Sequence, residues 1–147
     1  MQTISEKLRQ VDRISLAALP TPVYQLKTVS RELSRNIWIK RDDFTGVEMS
    51  GNKVRKLEFS IAEAQKMGAD VLITAGGIQS NHARATAAAA ARLGLKSHLV
   101  LEIAKAPKLE GNYLLDQMFG AAITLLQEDS GITFTDKMAE IAERKSM

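Results

Sequence analysis

Val54, Leu57, Ile61 and Ala64 recur at helical spacing behind a polar start, and Gly68 closes the run, so an amphipathic helix begins at Asn52. Val71-Leu72-Ile73-Thr74 follows as a short apolar run and reads as a buried strand. The alternation then continues. Ser80 can cap a helix over His82 to Leu93 that Gly94 closes, Ser97 to Leu101 is a strand, and Leu109 to Phe119 is a helix ended by Gly120. Ala122 to Leu126 is a strand and Thr133 to Arg144 a last helix. Helices and strands alternating at this spacing predict right-handed crossovers and a parallel sheet covered on both faces. The alanine run 87–91 is a strong helix former that packs close to its neighbours.

The first 50 residues do not share that rhythm. Ile4, Leu8 and Val11 suggest a short helix over 4–12, and Leu19-Pro20-Thr21-Pro22 forces an extended segment. Val23 to Leu26 reads as a brief strand, 28–35 as a helix and Asn36 to Lys40 as a strand rich in β-branched and aromatic residues. Arg41 to Gly51 reads as a loop. This part is expected to form a separate layer or domain, packed loosely or reaching into a neighbouring chain, with apolar surface left at its junction.

Composition narrows the class. The chain has 147 residues, enough for one ordinary domain, with 45% hydrophobic and 25% charged residues. Its net charge is only +3, and clusters such as Lys53-Arg55-Lys56 are interrupted by apolar residues, which disfavours nucleic acid. The chain has no cysteine, and His82 and His98 are its two histidines, so a zinc or thiolate site is not expected. No apolar run suits a membrane span or a secretory signal, and a cytoplasmic protein is expected.

Two segments carry chemistry. Ser50-Gly51-Asn52-Lys53-Val54-Arg55-Lys56 places a lysine at a helix start. An amine loses its proton near neutral pH when it is desolvated or set beside positive charge, and Arg55, Lys56 and the positive helix end supply that charge to Lys53. The same charges suit a phosphate, and Asn52 can cap the helix or bond a cofactor oxygen. Gly76-Gly77-Ile78-Gln79-Ser80-Asn81-His82 follows a strand and opens a helix, where backbone N–H groups favour an anion. Together they suggest a pyridoxal phosphate site. Taken alone, the first segment also reads as a capped amphipathic helix with solvated basic residues, and in the second Ser80 or Asn81 as a plain cap. His82 alone is more often a surface or capping residue than a catalyst. A nucleotide fingerprint is disfavoured because the third glycine is missing. Arg41-Asp42-Asp43 reads as an ion-pair and turn cluster. Trp38 reads as core or interface, and Tyr24 and Tyr113 have no partner that the sequence names.

Joined with Leu19-Pro20-Thr21-Pro22, Ile37-Trp38-Ile39-Lys40-Arg41-Asp42-Asp43 and the continuations Leu57-Glu58-Phe59 and Ala83-Arg84, these segments resemble the D-cysteine desulfhydrase and 1-aminocyclopropane-1-carboxylate deaminase family. The ordered likeness covers most of residues 18–102. It implies an α/β architecture, the three-layer parallel sheet of the pyridoxal phosphate enzymes with the tryptophan synthase β-like fold, here incomplete. It implies that 1–52 belong to the larger cofactor domain and 53–147 to the smaller α/β domain. It implies Lys53 as the lysine that bonds the cofactor aldehyde, and Lys56 on the phosphate. Asn81 would bond the ring hydroxyl, and Ser80, Asn81 and His82 would hold the substrate carboxylate. Ser80 also matches the nucleophile proposed for the deaminases. His82-Ala83-Arg84 looks like the desulfhydrase branch, so β-elimination on a small sulfur amino acid, giving pyruvate, ammonia and sulfide, is favoured over the deaminase reaction.

Family members are about twice this length and dimeric. Their second glycine-rich phosphate loop, the partner of the pyridine nitrogen and a pocket tyrosine come later in the family chain. The expectation is therefore a truncated chain, inactive alone. A non-catalytic remnant serving as an interaction module and a small-anion or nucleotide-binding domain stand as the alternatives.

Overall fold

The structure, a computed structural model, describes Thr3, Glu6, residues 10–46 and residues 51–145. Most of the helix expected over 4–12 lies outside the described residues, as does Ser50.

Three parallel strands form the centre: β3 (Val71–Gly77), β4 (Lys96–Ile103) and β5 (Ala122–Gln127), in the spatial order β3-β4-β5. Ala75 lies beside Val100 and Val100 beside Thr124. On β4, Leu99, Val100 and Leu101 are all fully buried, as a strand covered on both faces requires. Alternate side chains serve opposite layers. Leu99 and Leu101 meet Ala83 and Ala87 of α3 (Asn81–Leu93), while Val100 and Leu126 meet Ile141 of α5 (Phe134–Lys145). On the α3 side, α2 (Lys53–Lys66) packs Val54, Leu57 and Ile61 against Ala85, Ala88 and Ala89, whose small side chains let the helices close together. α4 (Gly111–Met118) lies beside α3 and contributes Tyr113 to the cluster around Leu99.

The alternation expected from Asn52 onward is present throughout. The main shift is at β3, which continues through Gly76 and Gly77 instead of ending at Thr74. Gly76 and Gly77 pair in register with Leu101 and Glu102, so backbone ladder bonds carry the strand beyond its apolar run.

The earlier segment has two parts that behave differently. β1 (Val23–Gln25) and β2 (Trp38–Lys40) form an antiparallel pair linked through α1 (Lys27–Glu32), followed by a 3-10 turn at Asp42–Phe44. Along this segment Val23 is 55%, Leu33 60% and Trp38 60% exposed. Residues 13–18 correct the expectation of loose packing. Leu16 enters the α2–α3 core, Ile14 N donates to Glu58 O at 3.0 Å and Ala18 N donates to Thr45 O at 2.8 Å.

Candidate functional site

The first turn of α2 is built against the usual electrostatic rule. It holds Lys53, Arg55 and Lys56 and no acidic residue, although the N-terminal end of a helix dipole already carries positive charge. Arg55 is relieved of that conflict. Its Nε and Nη2 donate to Asp42 at 2.8 and 2.7 Å, and Nη2 also reaches Thr21 Oγ1 at 3.1 Å. That fork holds the Asp42 carboxyl below its ordinary range, with Arg55 the main cause. Arg55 is therefore committed to structure, a correction to its expected share in a phosphate site. Lys53 is half-buried and Lys56 exposed, and neither ammonium group has a hydrogen-bond or ion-pair partner among the described residues. Asn52 occupies the cap position, but its side chain makes no capping bond, which corrects the capping role offered for it.

The second segment meets the first at His82. Burial lowers the His82 pKa, and the charges of Lys56 and then Lys53 lower it further. His82 Nδ1 is buried without a hydrogen-bond partner among the described residues. His82 also borders a cavity of about 300 Å³ between α2, β3 and α3.

Ser80 caps α3, its Oγ accepting from Ala83 N at 3.2 Å. Among the described residues no partner takes the Asn81 and His82 backbone N–H groups, so the open end of the helix offers two donors to an anion. The two glycines have separate roles. A Cβ on Gly76 would stand 2.7 Å from Ser80 Oγ, so its bareness admits Ser80 and not a ligand. A Cβ on Gly77 would meet nothing within 4 Å, which leaves that backbone open to approach.

From Gly77 and Gln79 a cleft of about 700 Å³ runs along Lys105, Lys108 and Glu110 at the carboxyl ends of the strands, where open α/β sheets bind ligands. One wall is a tight polar lock. Gln79 Nε2 donates to Glu110 O at 3.1 Å, and Asn112 N donates to Gln79 Oε1 at 2.8 Å. Asn112 Nδ2 donates to Gln79 O at 2.8 Å and to Asn81 Oδ1 at 3.0 Å. Gly111, at φ +59°, fits between because a Cβ there would stand 2.5 Å from Gln79 Oε1.

Lys53 and Lys56 thus stand in the first turn of α2, and Ser80, Asn81 and His82 at the start of α3, with the charge of both lysines acting on His82. Sequence reasoning missed Asn112. Its available signal was the Gly111-Asn112 pair at a helix start after a strand, the same grammar as Gly77 to Asn81. Arg41, Asp42 and Asp43 form the expected ion-pair cluster: Arg41 pairs with Asp43, bonds Tyr24 Oη and stacks 4.0 Å from the Phe44 ring centroid. His98 faces elsewhere, with its Nε2 2.9 Å from Thr124 Oγ1. Among the described residues no helix is long and apolar enough to cross a membrane.

Two lysines, an imidazole and two helix N-termini whose first turns hold no acidic residue suit a phosphate and a carboxylate, and the Lys53 amine, unpartnered among the described residues, suits an aldehyde. The residues present therefore fit pyridoxal phosphate. Comparison with known proteins agrees. A model of the family described as pyridoxal-phosphate dependent enzyme matches residues 14–146. The chain is 51% identical over 120 residues to the mitochondrial bifunctional D-cysteine desulfhydrase/1-aminocyclopropane-1-carboxylate deaminase of Arabidopsis thaliana, covering 78% of this chain and 30% of that protein. It is 44% identical over 147 residues to a D-cysteine desulfhydrase of Yersinia pestis, covering 97% and 44%. It is 41% identical over 136 residues to a putative 1-aminocyclopropane-1-carboxylate deaminase of Pyrococcus abyssi, covering 92% and 41%. A crystal structure of an ACC deaminase homologue superposes with TM-score 0.82 at 40% identity, covering 95% of this chain and 43% of that one. The chain thus spans between 30% and 44% of the length of these relatives.

Proposed function

Because the chain belongs to the pyridoxal-phosphate dependent enzyme family, we propose that it carries the lysine-bearing part of a site for β-elimination on a small sulfur amino acid, in the manner of a D-cysteine desulfhydrase. What supports this reading is Lys53 and Lys56 in the first turn of α2 and His82 in the first turn of α3, with both lysine charges acting on the imidazole and no acidic residue in either first turn. When bound, the cofactor ring supplies an electron sink that stabilises negative charge at the substrate Cα.

The chain's own residues take these roles. Lys53 would hold the cofactor through its aldehyde, and its amine would take the Cα proton of the substrate. Lys56 holds the phosphate, and Asn52 and Asn81 bond cofactor oxygens. Ser80, Asn81 and His82 hold the substrate carboxylate at the start of α3, where backbone N–H groups and the helix dipole favour an anion. The Ser80 hydroxyl accepts from Ala83 N and so keeps its own proton to donate. The overall change consumes one water: the Cα–H and Cβ–S bonds break, the sulfur leaves with the electron pair, and D-cysteine becomes pyruvate, ammonia and hydrogen sulfide.

We assign residues 1–52 to the larger cofactor domain and 53–147 to the smaller one, the exposed Val23, Leu33 and Trp38 being side chains that a larger domain would cover. A homodimer in the cytoplasm completes the proposal. A 1-aminocyclopropane-1-carboxylate deaminase is the second reading, favoured by the names of the Pyrococcus and Arabidopsis relatives.

The test is borohydride trapping of the chain with pyridoxal phosphate, followed by peptide mass spectrometry. A label concentrated on Lys53 and lost in Lys53→Ala is expected; a label spread over surface lysines would sink the assignment. Sulfide and pyruvate from D-cysteine would support β-elimination, whereas a four-carbon keto acid from 1-aminocyclopropane-1-carboxylate would favour the second reading.

A further inference from the structure

The geometry points to Asn112 as the positioning residue that fixes which end of the Asn81 amide is left free at the start of α3. This rests on the reading of Asn81 as a group that bonds the cofactor or the substrate.

A backbone carbonyl can only accept. The Asn112 atom 2.8 Å from Gln79 O is therefore its NH₂ nitrogen. That same nitrogen lies 3.0 Å from the Asn81 side chain, and its second hydrogen needs an acceptor, so the Asn81 atom there is Oδ1. One carbonyl thus sets the orientation of two amides in series. With its oxygen engaged by Asn112, Asn81 is left with Nδ2 as its free end. It presents two N–H donors, the polarity needed by a ring oxygen or a carboxylate, next to the unpartnered N–H groups at the start of α3.

Asn112 is itself held on both sides. Its backbone N–H is fixed by Gln79 Oε1, whose amide is fixed in turn by Glu110 O, and Gly111 leaves the room for Gln79. The lock joins α4 to the turn before α3. An asparagine that served only as a helix cap would not need to reach a side chain on another helix. The chemistry predicts a reversal, and not a mere loss, when the donor becomes an acceptor. In Asn112→Asp the carboxylate cannot donate, so the Asn81 amide turns over, bonds the carboxylate through Nδ2 and leaves its oxygen as the free end.

The experiment is ¹⁵N–¹H NMR of side-chain amide exchange in the 147-residue chain without ligand, followed by titration with pyridoxal phosphate. In the wild type, the Asn112 NH₂ should exchange slowly and the Asn81 NH₂ quickly. In Asn112→Asp, the Asn81 NH₂ should become the slow group. Affinity for pyridoxal phosphate should fall about tenfold, the scale of one hydrogen bond to a charged group. The absorbance of the lysine-bonded cofactor should shift toward the form with a protonated ring hydroxyl. Asn112→Ala keeps a good helix former and adds no charge; it should free the Asn81 amide to turn and weaken binding less than Asn112→Asp does. Unchanged Asn81 exchange in both variants, with α4 still folded by circular dichroism, overturns the proposal. The exchange pattern is read with no ligand present. It therefore decides the role of Asn112 even where Lys53 fails to trap the cofactor, the result that would defeat the functional reading instead.

Discussion

The unit from Lys53 onward is closed by apolar side chains, whereas residues 13–46 are fastened to it mainly through directional polar bonds. Leu99 sits among Ala83, Ala87 and Leu101 with no exposed surface. Leu16 is also buried, but its neighbourhood is held differently. Glu58, itself buried, accepts from Leu16 N and Ala17 N at 2.9 Å each and pairs with Arg13 at 2.7 Å, and Arg92 donates to Leu16 O at 3.1 Å. Farther along, Asp42 joins Thr21 to Arg55, and Lys40 donates to Thr21 O at 2.6 Å. Hydrophobic burial supplies bulk stability without direction, while hydrogen bonds and ion pairs fix geometry. The candidate lysine lies on the seam between the two kinds of region. The polar fastening takes up Arg55 and leaves Lys53 and Lys56 to the site.

The contrast breaks most sharply at its apolar end. Leu99→Ala should cost roughly 2–5 kcal/mol and lower the urea midpoint for the whole chain, since the cavity lies between β4 and α3. Glu58→Ala should cost about 2–3 kcal/mol, because two backbone N–H groups lose their acceptor in a buried place. Its effect should be local. Amide exchange should quicken at Leu16 and Ala17 while β4 stays protected, and Glu58→Gln, which keeps an acceptor, should do less. Equal loosening of β4 in Glu58→Ala would erase the distinction between the regions.

Asp116 is the exception inside the apolar unit. It is fully buried on α4 with neither carboxylate oxygen hydrogen-bonded among the described residues, and burial raises its pKa to about 6 against a partial offset from Arg84. Above its ordinary value of 3.8 and below about 6, the native state binds the proton that the unfolded chain has released. Stability should therefore fall as the pH rises through that window. Asp116→Asn should flatten the fall and gain roughly 1–2 kcal/mol at neutral pH, read from denaturation midpoints at several pH values.

The same division explains what the sequence disclosed. Val54, Leu57 and Ile61, the run at Val71 and the glycines that close the helices report burial and periodicity, which depend on near neighbours. The elements from Asn52 onward were legible for that reason. The docking of residues 13–18 was not, because it depends on an acid 41 or more residues away from the groups it binds. Glu58 follows Leu57 and lies one turn from Val54 and Ile61, so an acidic residue inside an apolar stripe was the available hint. At the candidate site, Lys53, Ser80, Asn81 and His82 stood out by their place at strand–helix joints, and the family resemblance implied their roles. That Arg55 belongs to Asp42 and that Asn112 holds Asn81 required the third dimension, since those pairs are joined only by packing.

The smallest effect tests the seam itself. His82 has its pKa lowered first by burial and then by Lys56 and Lys53, so it reports on whatever charge occupies that corner. Below the ordinary histidine value of 6.5, the native state binds fewer protons than the unfolded chain, and acid therefore works against the fold at this residue. Lys56→Gln should raise the His82 pKa in an NMR titration, and so should inorganic phosphate added to the wild type. The phosphate effect should shrink in Lys56→Gln. Arg55→Gln should move His82 much less, provided the fold persists, because Asp42 already balances that charge. If Arg55→Gln moves His82 as far as Lys56→Gln does, the guanidinium belongs to the site after all, and the separation between fastening charge and working charge fails.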